Sequence, residues 1–203
     1  MINNKIKRLL RYRQCLLKFE ELGFEKAFSH MIAKELGISS EQVRKDFSEF
    51  GIKGNKRGGY EIASLIDTIC NIFSQNGNRK AVIVGMGNIG RAIASYKGFK
   101  KQNIYIVASF DIDPSKLKNN LSIPIFKIDE LASYIKFNNI KTAILSVPEV
   151  SARSVCRILI ENGITGILNF TASVLKVPEN VIVNNIYLTD ELESIFYYTN
   201  KNY

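Results

Sequence analysis

The chain has 203 residues, is 46% apolar, and carries a net charge of +9. That length suits two domains with true hydrophobic cores, and no run approaches the roughly 18 consecutive apolar residues of a membrane span. Three isolated cysteines, Cys15, Cys70 and Cys156, with no CxxC spacing suggest neither a disulfide framework nor a zinc site, and with no export signal at the N-terminus they fit a reducing cytoplasm.

The charge is uneven: residues 1–60 hold 13 Lys and Arg against 7 Asp and Glu. A solvated lysine-rich surface would give the same count, so the function of this excess depends on the motifs that carry it. Ile6, Leu9, Leu10, Leu16 and Leu17 recur at helical spacing and predict an amphipathic helix ending before Gly23, with Lys5, Arg8, Arg11, Arg13 and Lys18 on its other faces. Ser29 then offers an N-cap for a short helix through Leu36, and Gly37 supplies a positive-φ turn. Ser39 with Gln42 fits a capping box for the next helix. Helix, glycine turn and helix make a helix-turn-helix layout.

In the second of these helices Val43, Phe47 and Phe50 form a buried stripe, which leaves Gln42, Arg44, Lys45, Ser48 and Glu49 outward. Arginine bridges guanine and glutamine reads adenine, so Arg44 and Lys45 lead the expected contacts to DNA, with Gln42 beside them and the Ser39-capped end facing phosphate. Residues 52–60 are basic and glycine-punctuated, as in the β-hairpin wing of a winged helix, which sets Lys53, Lys56 and Arg57 along phosphates or in a minor groove. Residues 61–75 predict a connecting helix, broken by Asn76-Gly77-Asn78-Arg79.

Ala81-Val82-Ile83-Val84 reads as a buried strand and feeds into Gly85-Met86-Gly87-Asn88-Ile89-Gly90 and a helix. This is the context a dinucleotide fingerprint requires. Gly85 permits the tight turn, Gly87 the approach of a pyrophosphate, and Gly90 the packing of helix on strand. The strand over residues 104–110 ends in Asp111, 21 positions after Gly90, where a carboxylate holds ribose hydroxyls and repels a 2′-phosphate, favouring NAD(H) over NADP(H). Further alternation, Ile123–Phe126, a helix from Asp129, Thr142–Val147, a helix over 150–162 and Gly166–Phe170, gives an α/β, doubly wound parallel sheet. Val147, Pro148, Asn169 and Phe170 fall at strand ends and are further candidate pocket edges.

The one histidine, His30, lies in the N-terminal segment, so no histidine serves catalysis beside a dinucleotide, and about 107 residues leave no room for a substrate domain. The dinucleotide therefore reads as a signal rather than a coreactant, with no catalytic residue and no metal assigned. The closing segment places Leu188, Leu192, Ile195 and Phe196 in a stripe too apolar for an unpaired helix, and a second copy of the chain is expected to bury it. Three segments follow: a winged-helix DNA-binding domain with its connecting helix (1–78), a Rossmann domain for NAD(H) (79–187), and a C-terminal dimerisation helix (188–203). A small Rossmann oxidoreductase or CoA-binding protein with a helical dimerisation domain stays open as the alternative.

Several stretches together resemble the Rex family of redox-sensing transcriptional repressors. They are residues 43–51 (Val-Arg-Lys-Asp-Phe-Ser-Glu-Phe-Gly), Gly85–Gly90, Phe110-Asp111-Ile112-Asp113-Pro114, Ser146-Val147-Pro148 and residues 163–170 (Gly-Ile-Thr-Gly-Ile-Leu-Asn-Phe). The resemblance implies a homodimer that holds palindromic operator DNA when the NADH/NAD+ ratio is low and releases it when NADH binds. It also implies a C-terminal helix exchanged between protomers, and matches Tyr96 to a tyrosine that approaches the nicotinamide. Three departures stand out. Tyr187 precedes Leu188 where many members carry an acid, with Asp190 about a turn away. Gln14 aligns with an arginine that pairs with that acid in some members, Arg13 being adjacent. Ala172 departs from an Asn-Phe-x-Pro pattern, and the wing glycines are offset by one.

Overall fold

A computed structural model describes residues 4–55, 58–74, 79–113 and 123–200. The chain divides into two compact units, Ile2–Gly77 and Asn78–Tyr203.

The first unit runs α1 (Asn4–Glu21), β1 (Lys26–Ala27), α2 (Ser29–Leu36), α3 (Ser40–Glu49), β2 (Tyr60–Glu61) and α4 (Ile62–Ser74). Its core joins Leu9, Tyr12 and Leu16 of α1, Ile32 of α2, Val43 and Phe47 of α3, and Ile62, Leu65 and Ile69 of α4. Phe47 meets Tyr12 and Tyr60 edge-on, with ring centroids 5.3 and 5.1 Å away. The helix expected as a connector, α4, is thus an integral wall of this core. β1 and β2 pair antiparallel, Lys26 with Glu61 and Ala27 with Tyr60. Gly37 ends α2 in the left-handed region at φ 65°, as the turn requires.

Two local expectations change. Ser29 is the first residue of α2 rather than its cap, which is Phe28, and its hydroxyl accepts a hydrogen bond from Arg44 Nη1 at 3.2 Å. Arg13 is not on a solvated face: it is 8% exposed, its guanidinium carbon 5.9 Å from the centre of the Phe73 ring. Its long stem packs like an apolar side chain while the charge rests against an aromatic face.

The second unit is a six-stranded parallel sheet ordered β5-β4-β3-β6-β7-β8, with β3 at Lys80–Val84, β4 at Tyr105–Asp111, β5 at Ile125–Lys127, β6 at Thr142–Leu145, β7 at Gly166–Asn169 and β8 at Ile182–Asn185. Helices α5 (Asn88–Ser95), α6 (Gly98–Lys101), α7 (Leu131–Phe137) and α8 (Glu149–Glu161) join the strands, and α9 (Leu188–Thr199) closes the chain. Val82, Val84, Ala108, Phe110, Ala143 and Leu145 pack with α7 and α8, whereas Ile83, Met86 and Ile144 pack with Ile93 and Ala94 of α5. Both sheet faces are covered, which is why β3 is an unbroken apolar run. The strand order reverses between β3 and β6, where doubly wound sheets bind ligands.

Candidate functional site

At that reversal a cleft of about 290 Å³ opens between the carboxyl ends of β3, β4 and β6. Gly85, Gly87, Asp111, Ile112, Ser146, Val147, Pro148 and Ser151 are among its lining. The glycines divide the work. Gly85 sits at φ +97°, and a methyl group on it would lie 2.5 Å from the Ser146 carbonyl oxygen. A methyl on Gly90 would lie 2.0 Å from the Gly85 oxygen, so α5 docks on β3 only without it. Gly87 has nothing within 4 Å of where a side chain would begin. It is the N-cap of α5, in extended backbone, so open space lies in front of a helix N-terminus with its positive dipole end.

Asp111 ends β4, 6% exposed, and its carboxylate accepts the Met86 N–H at 2.6 Å and the Asp113 N–H at 2.9 Å. These bonds aim it along the cleft wall and tie the fingerprint turn to the second strand. Ser146, the residue after β6, makes the matching tie, its hydroxyl donating to the Gly85 carbonyl at 2.9 Å.

Of the other sequence candidates, Asn88 and Ile89 are exposed on the first turn of α5. Met86 contributes its N–H to Asp111, but its side chain is fully buried in the core. Tyr96 is 63% exposed, edge-on to Phe99 at 5.1 Å, and outside the cleft lining. Asn169 and Phe170 are not among the residues that line this cleft. Asn169 is fully buried, donates to the Ser173 carbonyl and Asn185 Oδ1, and accepts from the Thr171 N–H and hydroxyl. It is a bracket for the turn after β7, with both ends of its amide spent. Phe170 packs on the α5-side core. Ile112, Ile128, Ser151 and Val155 line the cleft and were not among the candidates, because short strands say little about which loop side chains turn inward.

In the first unit Ser39 caps α3 as expected, its hydroxyl accepting the Gln42 N–H at 3.1 Å. Arg44, Lys45, Ser48 and Lys53 are exposed. Lys56 and Arg57 lie outside the described residues, between Asn55 and Gly59, which exchange backbone hydrogen bonds of 3.2 and 2.9 Å as a hairpin does. Gln42 is half-buried rather than outward as expected, and its amide donates to Asp46 Oδ1 at 2.8 Å. Asp46 itself is fully buried. It accepts from Arg8 Nε and Nη2 at 2.6 and 2.7 Å and from the Tyr12 hydroxyl at 2.6 Å. Burial alone pushes a carboxyl's pKa up; the hydrogen bonds from Arg8, Tyr12 and Gln42 outweigh it and hold Asp46 below the ordinary range. A carboxylate on a ten-residue helix reads as solvated, so this cluster had no signal of its own in the sequence.

Residues 3–48 match the family described as "Putative DNA-binding protein N-terminus", and residues 76–173 the family described as "CoA binding domain". The redox-sensing transcriptional repressor Rex of Streptococcus equi subsp. equi is 38% identical over 200 residues, covering 97% of this chain and 94% of that protein. The Rex of Caldicellulosiruptor saccharolyticus is 36% identical over 198 residues, 97% of this chain and 89% of its own. The chain belongs to the Rex family of redox-sensing transcriptional repressors. The Rex-family repressor RSP, solved with β-NAD+ and operator DNA, superposes with a TM-score of 0.91 at 28% identity, covering all of this chain and 94% of that one. In this Rex chain the winged-helix and Rossmann expectation holds, and neither the oxidoreductase nor the CoA-binding alternative is favoured by the relatives. Among the described residues no helix is long and apolar enough to cross a membrane.

Proposed function

We propose that this Rex repressor is a cytoplasmic homodimer that holds palindromic operator DNA through α3 and the wing and releases it when NADH occupies the cleft, so that transcription follows the NADH/NAD+ ratio. It acts as a regulator, not an enzyme. The domains divide as 1–78 for DNA, 79–187 for the dinucleotide and 188–203 for dimerisation.

The observation that carries the reading is the open space before Gly87, set between the buried Asp111 carboxylate and the N-terminus of α5. Those residues fit NAD(H): the amides at Asn88 and Ile89 face a pyrophosphate, Asp111 takes the ribose hydroxyls and disfavours a 2′-phosphate, and Val147 with Pro148 bounds the far wall. Tyr96 and the apolar stripe of α9 belong to the nicotinamide end and the dimer contact in the family arrangement. Arg44, Lys45 and Ser48 face the bases, while Ser39, Lys53, Lys56 and Arg57 serve the phosphates.

The test is a gel shift on promoter fragments of NADH-consuming dehydrogenases, with and without NADH. Binding that weakens with salt and is lost on adding NADH is expected. Arg44→Ala should weaken operator binding by roughly 1–3 kcal/mol and leave NADH affinity unchanged.

A further inference from the structure

We propose that Asp46 is a positioning residue for operator reading: its carboxylate, gripped by Arg8 and Tyr12 of α1, fixes the rotation of α3 about its axis. The proposal rests on α3 being the helix that reads DNA.

Two buried stripes attach α3 to its unit, besides the surface contacts Arg44–Ser29 and Lys5–Glu49. Val43 and Phe47 bury an apolar one, and Gln42 and Asp46, one turn apart, form a polar one toward α1. Apolar contact is non-directional and tolerates a small roll of the helix. Hydrogen bonds do not, and here four converge on one carboxylate: Arg8 Nη2 and Gln42 Nε2 on Oδ1, and Arg8 Nε and the Tyr12 hydroxyl on Oδ2, at 2.6–2.8 Å. The arginine pair is two-pronged, which fixes orientation as well as distance. With side chains reaching about 5–6 Å from a helix axis, a roll of about 20° moves a tip about 2 Å, enough to break a base-edge hydrogen bond. Gln42 is thereby scaffold for Asp46, and Arg44, Lys45 and Ser48 on the opposite side are the groups whose aim it sets.

A merely structural role makes a different forecast. A buried ion pair replaced by apolar residues of similar volume often leaves stability unchanged or higher. The test is therefore the charge-neutral double variant Arg8→Met with Asp46→Leu, compared with Asp46→Asn and the parent. The probes are the duplex that the parent enriches from random-sequence DNA and a scrambled duplex of the same composition. Expected for the double variant are a parental circular-dichroism spectrum, a Tm at or above that of Asp46→Asn, unchanged affinity for scrambled DNA, and a specific-to-scrambled ratio lowered about tenfold or more. A folded double variant that keeps the parental ratio overturns the proposal. So does an equal fall on both duplexes, which would mean lost fold rather than lost aim. Failure of the parent to enrich any sequence would instead overturn the DNA reading beneath it, and appears before any variant is made.

Discussion

Gly87, the N-cap of α5, and Gly90, in its first turn, stand three residues apart, yet a methyl group does different harm at each. On Gly90 it meets the Gly85 oxygen at 2.0 Å, so Gly90→Ala must push α5 off β3; a fall in Tm of roughly 5–10 °C is expected by calorimetry. On Gly87 it meets nothing within 4 Å and the backbone is already in a region alanine adopts, so Gly87→Ala should keep its Tm. That variant should lose NADH affinity by about tenfold or more in a fluorescence titration, because the methyl occupies the space before the helix N-terminus. Asp46 yields a prediction of another kind. Its pKa is depressed on folding, so the stability it contributes is present above the unfolded value of about 3.9 and is lost as pH falls through the folded one. In urea denaturations from pH 7 to pH 3, the parent should outlast Asp46→Asn at neutral pH, and the gap should begin to narrow as pH falls below about 4. Burial also pushes the Cys15 thiol up to about 11, consistent with an inert core cysteine.

Elements differ in how plainly the sequence declares them. Helices α1 to α4 and strands β3 and β4 were legible because an apolar period of 3.6, or an unbroken apolar run, survives whatever packs against it. β8 was not: Ile182-Val183 passes at once to Asn184-Asn185, and nothing local says that Ile182 pairs with Gly166 or that Asn185 receives the Asn169 amide. β6 stops at Leu145 rather than Val147: Ser146 keeps one last bond to β3, its N–H donating to the Val84 carbonyl, and Val147 and Pro148 turn away to line the cleft beside it. The fingerprint and its acid were read correctly as neighbours because glycine spacing states backbone geometry. The turn role of Asn169 is not legible, because the same side chain that suits a ligand also suits a turn. The stripe of α9 was legible, and each of Leu188, Leu192, Ile195 and Phe196 exposes half or more of its area in the single chain. Such a stripe needs cover. Leu192→Lys with Ile195→Lys should shift sedimentation from dimer toward monomer at micromolar concentration. Operator binding should fall with it, since one half-site contact is lost, while the Rossmann unit still binds NADH.

At the scale of the whole molecule the switch depends on more than a filled cleft, since a ligand moves an equilibrium only by its differential affinity for the two states. In the family resemblance that difference is sharpened by an arginine of the first helix paired with an acid before the last helix. The resemblance aligns Gln14 and Tyr187 with those positions, both without the charge, and Gln14 is exposed. Arg13 does not replace Gln14 on the surface: it is buried against Phe73 within its own unit. Asp190, in the first turn of α9, lies close to a helix N-terminus that already favours its charge. Without such a pair the NAD+-bound form would gain less preference for DNA, so the expected outcome is that NADH releases operator while NAD+ opposes it only weakly. In gel shifts titrated with NADH, a hundredfold rise in NAD+ should raise the midpoint by about threefold or less, where simple competition with a selective site would raise it far more. Tyr187→Asp alone should change this little, because Gln14 offers no partner charge. Gln14→Arg with Tyr187→Asp should restore steep NAD+ competition; strong competition already present in the unaltered protein would show that discrimination rests on other contacts.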